Sequence, residues 1–497
     1  MKTRNIIFVS VLLLGIASCV QDGELYRSGN NLTGDFNSGE SAEPPGSGDN
    51  YAEYEENPFI NVAEAPVSTF SIDADGASYA NVRRFLIQDN VIPPRGAVRT
   101  EEFINYFDMD YAYQASAHPI SLNGEVSTCP WAQSHKLVRI GIKGKPIPED
   151  QLPPSNFVFL IDVSGSMEGS DRLDLLKQGF LLFVDQMRDD DRIAIVTYAG
   201  TAGVVLESTT GKSKGVIKNA ISSLGSGGST AGAQGIITAY QIADENFIEN
   251  GNNRVILGTD GDFNVGITNR DELIALIEKK REEGVYLTVL GVGRGNYQDA
   301  SLEQIANHGN GTFEYIDNVD QLKKVFIYEF SKFYTVAKDV KVQVEFNPEI
   351  VHSYRLIGYE NRLLNNEDFE DDKKDAGEIG ANQNITALYE IVPHTNIDAR
   401  QFPTFKIDFR YKAPDADNSV PIELEIFDEG NDFKDASGPM IFTASIASFS
   451  MLLTGSPYKG TSDYLEIVAK MESVNIADPY GFIDEFKEIV LKARQLQ

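Results

Sequence analysis

Histidine, cysteine and tryptophan are nearly missing from this chain of 497 residues, which holds 5, 2 and 1 of them. The histidines (His118, His135, His308, His352 and His394) are scattered and show no H-E-x-x-H spacing, so a histidine zinc site of that kind is excluded. Each is expected to be a surface or packing residue. Two cysteines, Cys19 and Cys129, are too few for a disulfide framework, and a chain of this length has cores large enough not to need one. Basic residues are short as well: 43 Lys and Arg stand against 74 Asp and Glu, for a net charge of −31. No basic stripe is available to neutralise phosphates, so nucleic acid is excluded as a partner. No G-x-S-x-G elbow occurs. The sequence TTGKSKG (Gly211, Lys212, Ser213) fails as a phosphate loop because Leu206 stands where the first glycine is required. The chain is not expected to be an enzyme.

The rest of the composition is that of a globular protein, with 42% hydrophobic and 24% charged residues. The length allows about two to four domains. The start, MKTRNIIFVSVLLLGIASC, places Lys2 and Arg4 before an apolar stretch and small residues before Cys19, the pattern of a secretory signal. The stretch at 6–14 is too short for a permanent membrane span. The ending IASC resembles a bacterial lipobox, which implies cleavage before Cys19 and lipidation of that residue. The expected location is the cell envelope, lipid-anchored, on the outer membrane at its periplasmic or surface-exposed face. Asp22 and Glu24 resemble, in part, an export signal for the outer face. With Cys19 acylated, Cys129 has no partner and reads as a small buried hydrophobe. Residues 20–66, rich in Gly, Ser, Asn and acid, are expected to be a flexible acidic tether.

From residue 67 the pattern becomes globular. STFSIDADGASYANVRRFL reads as strand, turn and helix. Asp73, Asp75 and Gly76 suggest a calcium loop, but Arg84 stands where the bidentate glutamate is needed. Helix capping by Asp75 or Ser78 is the better reading. ISLNGEVSTCPW and HKLVRIGIKGK read as two strands. Apolar strands then alternate with amphipathic helices, beginning at FVFLID, which predicts a doubly wound, mostly parallel sheet over about 155–335. Next come period-two strands such as KVQVEF, TALYEIVP and TFKIDFRYK, expected to form an antiparallel β-sandwich-like unit over 336–435. The acidic stretch NNEDFEDDKKDAGEIGANQN is a loop or hairpin tip within it. Residues 436–497 read as terminal helices. The strands within 67–150 are expected to join the later β unit, leaving the α/β unit inserted. The fold class is therefore α/β, with a doubly wound sheet inserted in an antiparallel sandwich.

FVFLIDVSGSM runs a buried strand straight into Asp162, Ser164 and Ser166. GGSTAG places Thr230 in a glycine-rich loop that opens a helix, and ILGTDGDFN places Asp260 at another strand end. Ligands of such sheets bind beyond the carboxyl ends of the strands, so three loops bring oxygen groups to one edge. The set is all hard oxygen, which suits Mg²⁺, or Ca²⁺ or Mn²⁺, and not zinc. Hydroxyls of Ser164, Ser166 and Thr230 supply neutral ligands, while Asp162 and Asp260 bind directly or orient them through water. DVSGSM, Thr230 and TDGD together resemble the metal-ion-dependent adhesion site of von Willebrand factor type A domains. GGSTAGAQGI, RVILGTDGDFNVG, LTVLGVGRGN, KVQVEFNP and YRLIGYENR resemble a family of bacterial lipoproteins carrying such a domain and a C-terminal domain of unknown function. The resemblance implies adhesion or assembly: the metal holds a protein ligand through an acidic side chain. An assembly factor whose metal only stabilises a loop is the alternative. A metal-dependent hydrolase would need a general base that the sequence does not offer. The last helix of the α/β unit, about 318–337, is expected to run directly into a strand at 339–346; in related adhesion domains such a helix moves with ligand.

Overall fold

The computed structural model describes residues 48–497, apart from 74, 200, 228–231, 262–269, 296 and 396–398. Cys19 and Thr230 lie outside the described residues. Ahead of the α/β layer come β1 (Ile60–Asn61), β2 (Val67–Ser71), α1 (Ala77–Arg83), α2 (Thr100–Asn105), β3 (Ile120–Thr128) and β4 (Lys136–Gly144). The layer itself comprises β5 (Ser155–Asp162), α3 (Leu173–Gln186), β6 (Arg192–Ala199), β7 (Thr201–Thr210), α4 (Lys214–Ser222) and α5 (Gly232–Glu245), then β8 (Asn252–Thr259), α6 (Arg270–Glu282), β9 (Val285–Val292), α7 (Asp299–His308), β10 (Phe313–Ile316) and α8 (Val319–Lys323). Behind it lie β11 (Thr335–Phe346), β12 (Val351–Ile357), β13 (Gly377–Gly380), β14 (Asn384–Pro393), β15 (Phe405–Lys412) and β16 (Val420–Ile426), followed by α9 (Gly438–Thr454), α10 (Tyr464–Met471) and α11 (Phe482–Leu496).

The fold is α/β, with a mostly parallel sheet, antiparallel sheets and terminal helices. The central sheet runs β10-β9-β8-β5-β6-β7. All neighbours are parallel except β7, which is antiparallel to β6. Every residue of β5 is buried, because helices cover both faces. Successive side chains of a strand point to opposite faces. Phe157, Phe159 and Ile161 therefore join one core with Phe180 and Phe183 of α3. Val158 and Leu160 join another with Ile236 and Tyr240 of α5.

The second sheet, β1-β12-β14-β4-β3, is antiparallel. Three of its strands, β1, β3 and β4, precede the α/β layer and two, β12 and β14, follow it, so the layer interrupts this sheet in sequence. The third sheet runs β13-β11-β15-β16, with β2 also on β11. The two antiparallel sheets meet through Phe346, which stacks on Tyr354 at 4.4 Å and meets the edge of Tyr389 at 5.3 Å. A further core unites Tyr79, Phe103 and Phe107 of the early segment with Phe442, Phe449 and Phe486 of the terminal helices. Ser437 caps α9 by accepting from Met440 N. Among the described residues no helix is long and apolar enough to cross a membrane.

Four expectations are corrected. The tether does not extend to residue 66. Asp49 accepts from Gly295 N at 2.7 Å and pairs with Arg84 at 2.8 Å, Asn57 donates to two carbonyls of the 356–358 segment, and β1 pairs with β12. Val62 is buried in the main core, Tyr51 packs on Phe85 and Tyr297, and Phe59 on His135 and Tyr458; these few apolar positions are spread through a polar, acidic stretch, so composition does not reveal them. Neither Asp75 nor Ser78 caps α1: Asp75 accepts from Phe313 N at 2.7 Å and the Ser78 hydroxyl donates to Ala97 O. The expected helix at 318–337 breaks after α8 into a wider turn at Lys324–Tyr328 and a tight turn at Phe330–Phe333. Phe326, Phe330 and Phe333 all turn into the cluster around Phe157 and Phe183, and β11 begins at Thr335, where it meets Gly380 of β13. The acidic stretch is no mere tip: it carries β13 and a turn at Asn366–Phe369 closed by reciprocal Asn365–Asp368 hydrogen bonds. Among the expected terminal helices, α10 is short, and Asp463 caps it.

Candidate metal site

Three strand ends and their loops build the site. β5 lies between β6 and β8, so its carboxyl end sits at the middle of the sheet edge. Its apolar side chains fix Asp162 there, fully buried. Asp162 Oδ1 accepts from Ser164 N at 2.8 Å, which folds the chain back at once. A tight turn at Gly165–Met167 follows. Met167 is buried in the core and anchors it. The turn brings the Ser164 and Ser166 hydroxyls within 2.9 Å of each other. Arg172 closes the far side, donating to Ser166 O at 2.5 Å and to Arg294 O at 2.8 Å.

The neighbouring strands complete the edge. Val163 N donates to Tyr198 O at the end of β6, and Gly227 N donates to Val163 O at 2.8 Å. The loop that leads toward position 230 is thereby tied to the first one. Beyond β8, Thr259 Oγ1 donates to Asp162 Oδ2 at 3.4 Å and accepts from Gly261 N at 3.3 Å. Gly261 has φ +99°, a conformation that L side chains avoid, so only glycine turns here without strain. This turn fixes Asp260, which is 8% exposed and whose Oδ1 has no hydrogen-bond partner. Burial pushes the Asp162 carboxyl up to about 6 against the Ser164 hydrogen bonds, and the charge of Asp260 adds to the rise.

The structure thus gathers four of the five expected residues, Asp162, Ser164, Ser166 and Asp260, at one edge; Thr230 falls outside the described residues. Two carboxylates lie there, the charge of Asp260 acting on Asp162, and among the described residues neither forms an ion pair. An unpartnered, nearly buried carboxylate oxygen costs several kcal/mol unless a cation or proton compensates it. Hard oxygens of carboxylate and hydroxyl type fit a divalent ion. Sequence reading passed over Thr259, Tyr198 and Arg172. Thr259 adjoins Asp260 and was visible as a hydroxyl residue at the strand end. Tyr198 and Arg172 carried no signal, because their roles depend on which strand and loop lie next to β5.

Family models match along most of the chain: von Willebrand factor at 45–139, von Willebrand factor type A domain at 156–327, and the C-terminal part of uncharacterized protein YfbK at 331–496. The uncharacterized protein YfbK of Escherichia coli is 39% identical over 464 residues, covering 88% of this chain and 80% of its own. The uncharacterized protein sll0103 of Synechocystis is 28% identical over 204 residues, covering 41% of this chain and 47% of its own. Among solved structures, a von Willebrand factor type A protein from Catenulispora acidiphila aligns at 17% identity and TM-score 0.41, covering 76% of this chain and 98% of its own. The mussel proximal thread matrix protein 1, described with a zinc-occupied metal-ion-dependent adhesion site, aligns at 25% identity and TM-score 0.28, covering 35% and 44%. By its identity to the Escherichia coli protein across most of both chains, this chain belongs to the YfbK family, with a von Willebrand factor type A domain followed by the YfbK C-terminal region.

Proposed function

We propose that this chain is a cell-envelope lipoprotein, anchored through Cys19, that holds a protein or other anionic ligand through a divalent ion. Asp162, Ser164, Ser166, Thr230 and Asp260 hold the ion. The observation that carries this reading is the unpartnered Asp260 oxygen beside buried Asp162 and the Ser164–Ser166 hydroxyl pair. Two carboxylates and neutral hydroxyls would leave a bound Mg²⁺, Ca²⁺ or Mn²⁺ with residual positive charge and room for an acidic side chain from outside. The chain's residues do the positioning. Asp162 fixes the serine turn through Ser164 N, Thr259 orients Asp162, and Arg172 braces the turn from behind. The von Willebrand type A family supports a protein-interaction or adhesion role. The signal sequence and Cys19 support the envelope location.

The test is capture from envelope extract by the purified chain in Mg²⁺, in EDTA, and as Asp162→Ala. A partner retained only by the unaltered chain with metal supports the reading. Equal capture in all three moves the interaction to the antiparallel sheets and terminal helices and makes the metal a structural part.

A further inference from the structure

A second pair of carboxylates lies outside the site at the α/β sheet edge. Glu101 of α2 and Glu360, three residues beyond β12, line a partly open space of about 50 Å³ with Tyr54, Glu56 and Gly358. Glu101 is 1% exposed, and its Oε2 has no hydrogen-bond partner. Gly358, at φ +78°, comes so close that a Cβ there would stand 2.7 Å from that oxygen. Its bare backbone admits the carboxylate to the space.

The arginines on the walls form their ion pairs with other carboxylates, and only the more distant charge of Arg355 and the backbone N–H groups of Asn57 and Glu360 offset part of the burial of Glu360. Arg95 is spent on Glu56 at 3.0 Å, Arg99 on Glu102 and Asp299, and Arg355 on Glu390 at 2.9 Å. Among the described residues neither Glu101 nor Glu360 forms an ion pair. Burial holds both carboxyls above the ordinary range, and Glu360 adds to the rise at Glu101. Two carboxylates confined together need a proton or a cation between them.

We propose that Glu101 and Glu360 hold a divalent cation of the calcium class beneath the strap formed by residues 52–56. The donors are hard oxygens. Calcium accepts six to eight of them in flexible geometry, so two carboxylates completed by waters form an adequate shell. A space of about 50 Å³ holds roughly three water-sized spheres, enough for an ion and part of its hydration. The cation neutralises the pair and ties α2 to the turn after β12, beneath the strap. This site does not depend on the reading of Asp162.

Equilibrium dialysis with Ca²⁺ tests the proposal on the unaltered chain, Asp162→Ala, Glu101→Gln and the double variant. The expected stoichiometries are two ions, one, one and none. Glu101→Gln binding as many ions as the unaltered chain overturns this proposal, as does Asp162→Ala binding none. Asp162→Ala still binding two overturns the Asp162 reading alone. Because Tyr54 lines the space, Tb³⁺ bound to Asp162→Ala should show tyrosine-sensitised emission that Ca²⁺ displaces. Tyr54→Phe should lose most of that emission with the stoichiometry unchanged. Emission that neither Tyr54→Phe nor Glu101→Gln diminishes places the ion elsewhere and overturns the proposal.

Discussion

Asp162→Asn should change the stability of the chain with opposite sign in the absence and presence of metal. Asp162 is fully buried and accepts from Ser164 N at 2.8 Å, beside an Asp260 oxygen with no partner. Without an ion, burial and the neighbouring charge raise its carboxyl from 3.8 to about 6. A group raised in this way favours the folded state below its ordinary value, and that contribution is lost as pH climbs through about 6. At pH 7.5 the ionised carboxylate costs at most about 3 kcal/mol relative to the unfolded chain. Asparagine keeps the Oδ1 acceptor for Ser164 N and removes the charge, but its amide must also be desolvated, at about 1–2 kcal/mol. The variant in EDTA should therefore be more stable than the unaltered chain by about 1–2 kcal/mol. In Mg²⁺ at about a hundred times the dissociation constant, the unaltered chain gains about 2.7 kcal/mol and the variant gains little, so the order reverses. Urea unfolding at pH 7.5, with and without metal, measures both differences. A variant less stable than the unaltered chain in EDTA, or an unaltered chain indifferent to Mg²⁺, Ca²⁺ and Mn²⁺, refutes the reasoning.

Two further outcomes follow from burial. Phe183 is fully buried and meets Phe157, Phe159 and Phe326 edge to face at 4.9, 5.2 and 5.3 Å; Phe183→Ala should cost about 3–5 kcal/mol in urea unfolding, and a loss below about 1.5 would mean the cluster does not hold α3 on the sheet. Glu314 is buried against Gln321 and faces Lys332, Glu329 and Lys324, and burial pushes its carboxyl up to about 7. Its contribution is complete below the ordinary glutamate range and is lost as pH rises through about 7. Between pH 5 and 8 the unaltered chain should therefore lose about 1–3 kcal/mol more stability than Glu314→Gln; parallel thermal-unfolding profiles would show that Glu314 ionises as freely in the fold as out of it.

The α/β layer was legible because its signals are local. FVFLID, RIAIVTYA and YLTVLGVG are apolar on both faces, which suits a strand only when helices cover both sides of its sheet. The alternation of TFKIDFRYK likewise marked β15 as half-buried, and its burial in the structure alternates as expected. The candidate site was legible for the same reason. Asp162, Ser164 and Ser166 stand within five residues, and the strand that ends at them dictates where they point. The limits of the last α/β helix were not legible, because an amphipathic pattern runs on through Phe330 and Phe333. Only the aromatic cluster around Phe183 and the pairing of Thr335 with Gly380 decide that the helix stops and β11 begins.

By itself the sequence determined the strand–helix alternation, the hard-oxygen character of the candidate site and the order of the layers, since each follows from side-chain periodicity or from donor chemistry. Tertiary structure alone decided that residues 48–66 lie bound to the body, that Asp75 reaches Phe313 N, and that Glu101 and Glu360 line one space. Those relations join positions 238 to 301 residues apart in the chain. Local propensity carries no information about such pairs; the packing of three sheets and a helical core brings them together, and the low dielectric between the layers gives their charges consequence.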